Sequence, residues 1–173
     1  MTIPAPNLQD LVTGYLRRHP EEQPLLQPLL DRIAAGHDVT DRRQFAGHVT
    51  TSGVVINDAD NVLLIHHLAS GRRIQPGGHP EPSDRTLDEA VRREIAEETG
   101  VTELQSFGDG TPVHIDVHTI EARPEKDEPA HVHYDVRYLL RVRGPVTLTL
   151  QAEEVGAATA RSSSSPTRLR PRC

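Results

Sequence analysis

Cysteine is almost missing from this sequence: the one present, Cys173, is its last residue. Neither a disulfide framework nor a cysteine-based zinc site can be built from it, and a reducing compartment suits the chain. Aromatic side chains make up 3% of the residues, with Tyr15, Phe45, Phe107, Tyr134 and Tyr138 the full set. Base recognition by stacking would have to draw on Tyr134, Tyr138 and the arginines near GRRIQPGG, although an ordinary core role suits the tyrosines. No run of about eighteen uncharged apolar residues occurs, and the opening MTIPAPNLQDLVTGYLRRHP has no apolar stretch behind a basic start. A cytoplasmic protein without a membrane partner is expected. Positive charge is in deficit, with 19 Lys and Arg against 25 Asp and Glu, a net charge of -6. That balance argues against polymeric nucleic acid as a partner, and it repels a phosphorylated substrate unless cations intervene.

What remains is enough for one domain with flanking segments, since 173 residues can bury a core without covalent staples. Residues 1–44 read as a helical segment packing on that domain, with apolar positions at Leu8, Leu11 and Val12, then Leu25, Leu26, Leu29, Leu30 and Ile33, broken near Pro20. GHVTTSGVVIND (47–58) and NVLLIHH (61–67), joined by a turn-forming NDADN, read as a hairpin. PVHIDVHTIEA and HVHYDVRYLLRV add two strands on either side of the polar RPEKDEPA. A mixed sheet with helices beside it follows, placing the main domain at residues 45–156. From about residue 157 the composition turns to serine, arginine and proline, which reads as a disordered tail. A second reading makes that end a frameshifted or artificial replacement for a terminal helix.

Between the hairpin and the later strands lies GGHPEPSDRTLDEAVRREIAEETGV, residues 77–101. Thr86 with Glu89 forms a capping-box pattern and Gly100 stands where a left-handed cap belongs, so a helix is expected over about Leu87 to Glu98. Leu87, Ala90, Val91 and Ile95 form its core-facing stripe, yet Glu94, Glu97 and Glu98 fall on or beside that stripe. A solvated acidic face accounts for Asp88, Glu89 and Arg92. It does not account for the other three, which repel one another near a buried surface unless a multivalent cation neutralises them. Hard ions such as Mg²⁺ take such oxygen ligands together with phosphates and water. Arg93, four residues from both Glu89 and Glu97, can pair with either and orient it.

This stretch resembles the signature of the Nudix hydrolase family, G-x5-E-x7-R-E-U-x-E-E-x-G-U, with U aliphatic. Arg93 through Val101, REIAEETGV, matches the second half without a break. The first half departs: counting from Gly78, Asp84 stands in place of the glutamate, and one extra residue precedes Arg93. The insertion falls before the helix, where an added loop residue costs little, and it leaves the role of Asp84 open. The resemblance implies an α/β fold, a Nudix-like α/β/α sandwich with a mixed β-sheet. It further implies Mg²⁺ or Mn²⁺ held by Glu94, Glu97, Glu98 and the Gly78 carbonyl, with Glu94 and Arg93 as the catalytic pair, Glu94 activating water and Arg93 orienting its neighbours.

The later strands carry a second pattern. Alternation puts His131, His133, Asp135 and Arg137 on one face of their strand, and His114, Asp116 and His118 on one face of the other. Such a face is either the solvated side of an antiparallel sheet or the lining of a pocket. In the second case His131, His133, Asp135 and Arg137, with His79 beside the double glycine, become substrate-binding candidates; an independent His/Asp zinc centre is a further reading, without a fixed geometry for its ligands. The expected activity is hydrolysis of a diphosphate linkage in a nucleoside diphosphate joined to another group, or in a nucleoside triphosphate. The partner is then a small nucleotide-type diphosphate. A catalytically silent ligand-sensing domain and an isoprenoid-diphosphate isomerase-like enzyme are the alternatives; the second fits poorly with a cysteine only at position 173.

Overall fold

The computed structural model describes residues 3–68, 71–145, 147–150 and the backbone of 155–162. Helix α1 (Ala5–Leu16) buries Leu8, Val12 and Tyr15; helix α2 (Gln23–Ala34) buries Leu26, Leu29 and Ile33. A single 3-10 turn, Pro20–Glu22, separates them, because proline at its first position cannot donate the hydrogen bond that would continue α1. The Tyr15 hydroxyl closes the corner by donating to Glu22 at 2.7 Å. These side chains share one buried cluster with Val49, Ile95, Ile115 and Val136 from the rest of the chain. None of the described helices is long and apolar enough to cross a membrane.

The sheet is mixed. Strand β1 (His48–Ile56) lies parallel to β7 (His131–Arg141), and β7 carries β6 (His114–Ile120) and the short β5 (Gln105–Ser106) antiparallel along its other edge. Strand β2 (Asn61–His67) pairs with β1 only where Ile56 meets Val62. It then joins β3 (Arg72–Ile74), while β4 (Gly77–Gly78) pairs with the middle of β1 at Thr51 and Ser52. The strands β1, β2, β6 and β7 occupy the runs marked by their β-branched and aliphatic content; the two- and three-residue strands were too short to leave such a pattern.

Helix α3 (Leu87–Thr99) follows β4 and begins and ends as its sequence requires. The Thr86 hydroxyl accepts the Glu89 N–H at 3.1 Å, and Gly100 closes the helix in the left-handed region at φ 74°. Leu87, Ala90, Val91 and Ile95 are buried as the apolar stripe demands, and Glu98 and Thr99 are buried with them. Two expectations change. The Glu89 carboxylate does not complete the capping box on Thr86; it accepts the Arg85 N–H at 2.9 Å and pairs with the Arg85 guanidinium. The tail expected from residue 157 is likewise corrected. Val155–Ser162 forms β8, antiparallel to β2 with Asn61 opposite Ser162. Composition misses this strand because the hydrogen bonds that define it are offered by the edge of β2. The rest of that expected tail, residues 163–173, lies outside the described residues.

Candidate active site and a histidine cluster

Chain direction at β4 sets up the first group. The pairing of β4 with β1 brings Gly77 against the C-terminal turn of α3, where the buried Glu98 carboxylate, 2% exposed, accepts the Gly77 N–H at 2.9 Å. Glu94 sits one turn earlier beside Gly78. A Cβ at position 78 would lie 2.5 Å from the Glu94 carboxylate, so any residue but glycine would push that side chain away. Glu97, half-exposed, completes the row.

Arg93 ties this row to the loop before the helix. One guanidinium nitrogen donates to Glu94 at 3.1 Å and to Glu97 at 2.9 Å; the other donates to Asp84 at 3.0 Å and to the His79 carbonyl at 3.0 Å. Burial pulls the guanidinium pKa down, but the Asp84 hydrogen bonds and the Glu94 and Asp84 charges outweigh it, and the net shift is upward. Arg93 is therefore a permanent cation bound on several sides. Its expected pairing with Glu97 is present, whereas Glu89 is engaged by Arg85 instead. Asp84 acquires a role that its spacing left open: it is buried, 5% exposed, and anchors Arg93. The loop folds back on itself, with Asp84 N–H donating to the Glu81 carbonyl at 3.0 Å and the Asp84 carboxylate accepting the Glu81 N–H at 2.7 Å. The aspartate at position 84 thus reaches the arginine from within that turn.

Glu94, Glu97 and Glu98, with Arg93 beside the first two, form an oxygen-rich, net negative row next to Gly77 and Gly78. Glu94, Glu97 and Glu98 offer oxygen donors of the type a hard divalent ion takes; the groups of described residues whose donor atoms converge within 4.8 Å of one another are His48, His79 and His133, and His19, Glu21 and Glu22.

The second group lies on the polar face of β1, β6 and β7. The register places His48, His133 and His118 in one row across the three strands, Thr50, Asp135 and Asp116 in the next, and Ser52, Arg137 and His114 in the third. His79, immediately after β4, brings its ring to the first row, with its Nε2 3.1 Å from His48 Nε2. His131 and His133 face each other in the same way, Nε2 to Nε2 at 3.1 Å. His48 and His131 stack with ring centroids 5.1 Å apart. Burial, reinforced by the neighbouring imidazoles and Arg42, pushes His79 down to about 3. Burial and the surrounding histidines push His133 down to about 2, and burial lowers His48 as well. At neutral pH these rings are uncharged.

A cavity of about 60 Å³ opens on this cluster, lined by Arg42, His48, His79, Ile120, Arg123, Glu128, His131 and His133. Of the expected substrate-binding residues, His79, His131 and His133 line it. Asp135 and Arg137 do not: Asp135 accepts Ser52 Oγ at 2.7 Å, Thr50 Oγ1 at 3.2 Å and Arg137 Nε at 3.0 Å, while Arg137 reaches on to Asp116 at 2.9 Å. Those two belong to an internal network one row away. On β1 and β7 this face is closed to solvent at His48, His131 and Asp135, which are buried, while Asp116 and His118 on β6 stay partly exposed. His48, Arg42, Arg123 and Glu128 were absent from the candidates. His48 stands next to His133 only through the parallel register of β1 and β7, which no local pattern records.

A NUDIX domain model matches residues 47–163. A curated relative, named "Probable DHNTP pyrophosphohydrolase" from Lactococcus lactis subsp. cremoris, is 32% identical over 94 residues, covering 54% of this chain and 54% of that protein. The chain thus spans about half the length of this relative. Among solved structures, an Ap4A hydrolase binary complex from C. elegans superposes with a TM-score of 0.52 at 18% identity, covering 66% of this chain and 79% of its own. The dihydroneopterin triphosphate pyrophosphohydrolase of E. coli gives 0.52 at 14% identity, with 66% and 80% coverage. These likenesses show the fold, a Nudix α/β/α sandwich around a mixed sheet. With the domain match spanning the greater part of its length, and the Gly78-to-Val101 stretch folded as glycine strand, loop and acidic helix, the chain belongs to the Nudix family.

Proposed function

We propose that the protein is a divalent-cation-dependent pyrophosphohydrolase acting on a nucleotide-type compound that carries a diphosphate linkage. The observation that carries this reading is Arg93 bound at once to Asp84, Glu94, Glu97 and the His79 carbonyl. It holds the carboxylates of one helix in fixed positions beside a glycine strand. Such fixed carboxylates are the part of a phosphoryl-transfer site that a protein has to supply, because catalysis there is mostly positioning and charge compensation. When bound, Mg²⁺ or Mn²⁺ supplies Lewis acidity toward phosphate oxygens and offsets their charge.

The residues of the chain divide the remaining work. Glu98 is fixed by the Gly77 N–H and Glu97 by Arg93, so both present oxygens without having to be ordered during the reaction. Glu94 accepts a proton from water as the water oxygen attacks phosphorus. The anhydride P–O bond breaks, and its electrons remain on the departing phosphate oxygen. Arg93 keeps its proton and acts on the orientation of Glu94 and Glu97.

The names of the Lactococcus relative and the E. coli neighbour favour the triphosphate branch of the expected substrates, and dihydroneopterin triphosphate is the first compound to try. The test is a hydrolysis panel on chelator-treated protein, with Mg²⁺ or Mn²⁺ restored, that includes triphosphates, dinucleotides, nucleotide sugars and phosphate monoesters. Metal-dependent release of diphosphate or of a nucleoside monophosphate from anhydride substrates, with monoesters inert, is the expected result. Binding without turnover across the panel would favour a sensing domain, and rearrangement without a phosphate product would favour an isomerase.

A further inference from the structure

We propose that His48, His79 and His133 bind a transition-metal ion of the Zn²⁺ type, at a site separate from the carboxylates of α3, with His131 as the residue that positions His133. One ring nitrogen from each of the three lies within 4.8 Å of the others. His48 Nε2 and His79 Nε2 are already 3.1 Å apart, close to the roughly 3.3 Å that zinc–nitrogen bonds of about 2.0–2.1 Å impose in a tetrahedron. The site calls for a modest contraction, not a rebuilt backbone.

The hydrogen bonds outside the cluster prepare the rings for this. His48 Nδ1 lies 3.3 Å from the Gln44 carbonyl and His131 Nδ1 lies 2.8 Å from the Pro129 carbonyl. A carbonyl only accepts, so both Nδ1 atoms carry the proton and both Nε2 atoms present a lone pair. This is the arrangement by which a backbone carbonyl fixes the tautomer of a metal-binding histidine. Without metal, His79 Nε2–H donates to His48 and His133 Nε2–H donates to His131. On metal binding His79 moves its proton to Nδ1 and offers Nε2. His133 keeps its proton toward His131 and offers its other nitrogen. No net proton is released, and His131 remains the acceptor that orients His133.

The surroundings favour an ion over a larger guest. About 60 Å³ holds a few waters, or an ion with a small ligand. Imidazole nitrogen suits Zn²⁺, Ni²⁺ and Cu²⁺, whereas Mg²⁺ requires oxygen, so the cluster and the carboxylate row select different ions. The positive charge of Arg42 at the rim is compensated by Glu128 at 3.1 Å. Three histidines leave the fourth position of a tetrahedron to water or to an anion entering through the cavity mouth. None of this depends on the hydrolase reading of α3.

The test uses chelator-treated full-length protein without nucleotide, titrated with Co²⁺ as a spectroscopic stand-in for Zn²⁺, in excess Mg²⁺. The wild type is expected to take one equivalent with the intense visible absorption of four-coordinate cobalt, displaced by Zn²⁺. His79→Gln and His133→Gln lose that spectrum, His131→Gln weakens binding by about 10–100-fold, and Glu98→Gln retains it. Should a histidine variant unfold, the imidazole ¹⁵N shifts of wild-type protein on Zn²⁺ addition identify the coordinating nitrogens directly. A weak six-coordinate spectrum, a spectrum unchanged by His79→Gln and His133→Gln, or loss only in Glu98→Gln overturns the proposal.

Discussion

The carboxylate row and the histidine cluster meet at one residue, yet they are built in opposite ways. The His79 carbonyl receives Arg93 of the acidic helix, while the His79 ring faces His48 across the sheet. On one side, the carboxylates of Glu94, Glu97 and Glu98 come from little more than one turn of helix, the first two held by Arg93 and the third by the Gly77 N–H. On the other, the rings of His48, His79, His131 and His133 come from β1, the residue after β4, and β7, with His48 and His131 tied to backbone carbonyls. Local sequence can encode the first arrangement because helix periodicity alone brings its members together. The second exists only once β1 and β7 have paired.

Removing charge from the helix side should produce the largest effects. Glu94→Gln is expected to lower turnover by about 10²–10⁴-fold, the range for losing a positioned general base. Glu98→Gln should cost about 10²–10³-fold, with circular dichroism unchanged because the substitution conserves volume. If both variants kept full activity, the contrast between a chemical helix and a binding cluster would collapse.

Asp84→Asn probes the anchor instead of the carboxylate row. It keeps the shape but removes the charge facing Arg93, and a loss of about 10–100-fold in kcat with KM little changed is expected, as for a residue acting through its neighbour. Steady-state kinetics on the substrate identified by the panel measure it. A larger loss than that of Glu94→Gln would move Asp84 into the reacting centre.

Stability tests sharpen the same comparison at the periphery. Deleting residues 155–173 strips β8 from β2 and should lower Tm by several degrees, at about 2–4 °C per kcal/mol for a chain of this size. Deleting residues 163–173 should shift Tm by less than this, because it leaves every described β2–β8 pair in place. Equal effects would show that β8 adds nothing.

The smallest effect lies in the N-terminal helices. Burial, the hydrogen bond to Glu22 and its charge push the Tyr15 phenol from 10.0 up to about 12. A raised folded pKa means that the unfolded chain ionises first, so this contribution is whole below about pH 10 and is lost as pH climbs toward about 12. Tyr15→Phe should remove that part of the alkaline fall in Tm, measured from pH 9 to 12, while lowering Tm slightly at neutral pH.

How much could be read in advance follows from the same contrast. The α3 boundaries, its Thr86 and Gly100 ends and its misplaced glutamates were legible, because each depends on residues within four positions. Asp84 was half-legible: its acidic character was visible, but the fold-back at Glu81 that carries it to Arg93 was not. The His131–His133–Asp135–Arg137 face was legible as a face. Its division into a cavity row and an Asp135 network was not, since that follows from the partners Thr50, Ser52 and Asp116 on other strands. Strand β8 was hidden because a partner's edge, not its own composition, makes it a strand.

The most direct test of the central claim, that Glu94 delivers water to a phosphorus atom of an anhydride, is hydrolysis of a triphosphate in ¹⁸O-labelled water with Mg²⁺ present. Wild-type protein should place one labelled oxygen in a phosphate-containing product, and Glu94→Gln should form that product at a rate reduced by about 10²–10⁴-fold. Product formed without label, or labelled product at an undiminished rate in Glu94→Gln, would contradict it.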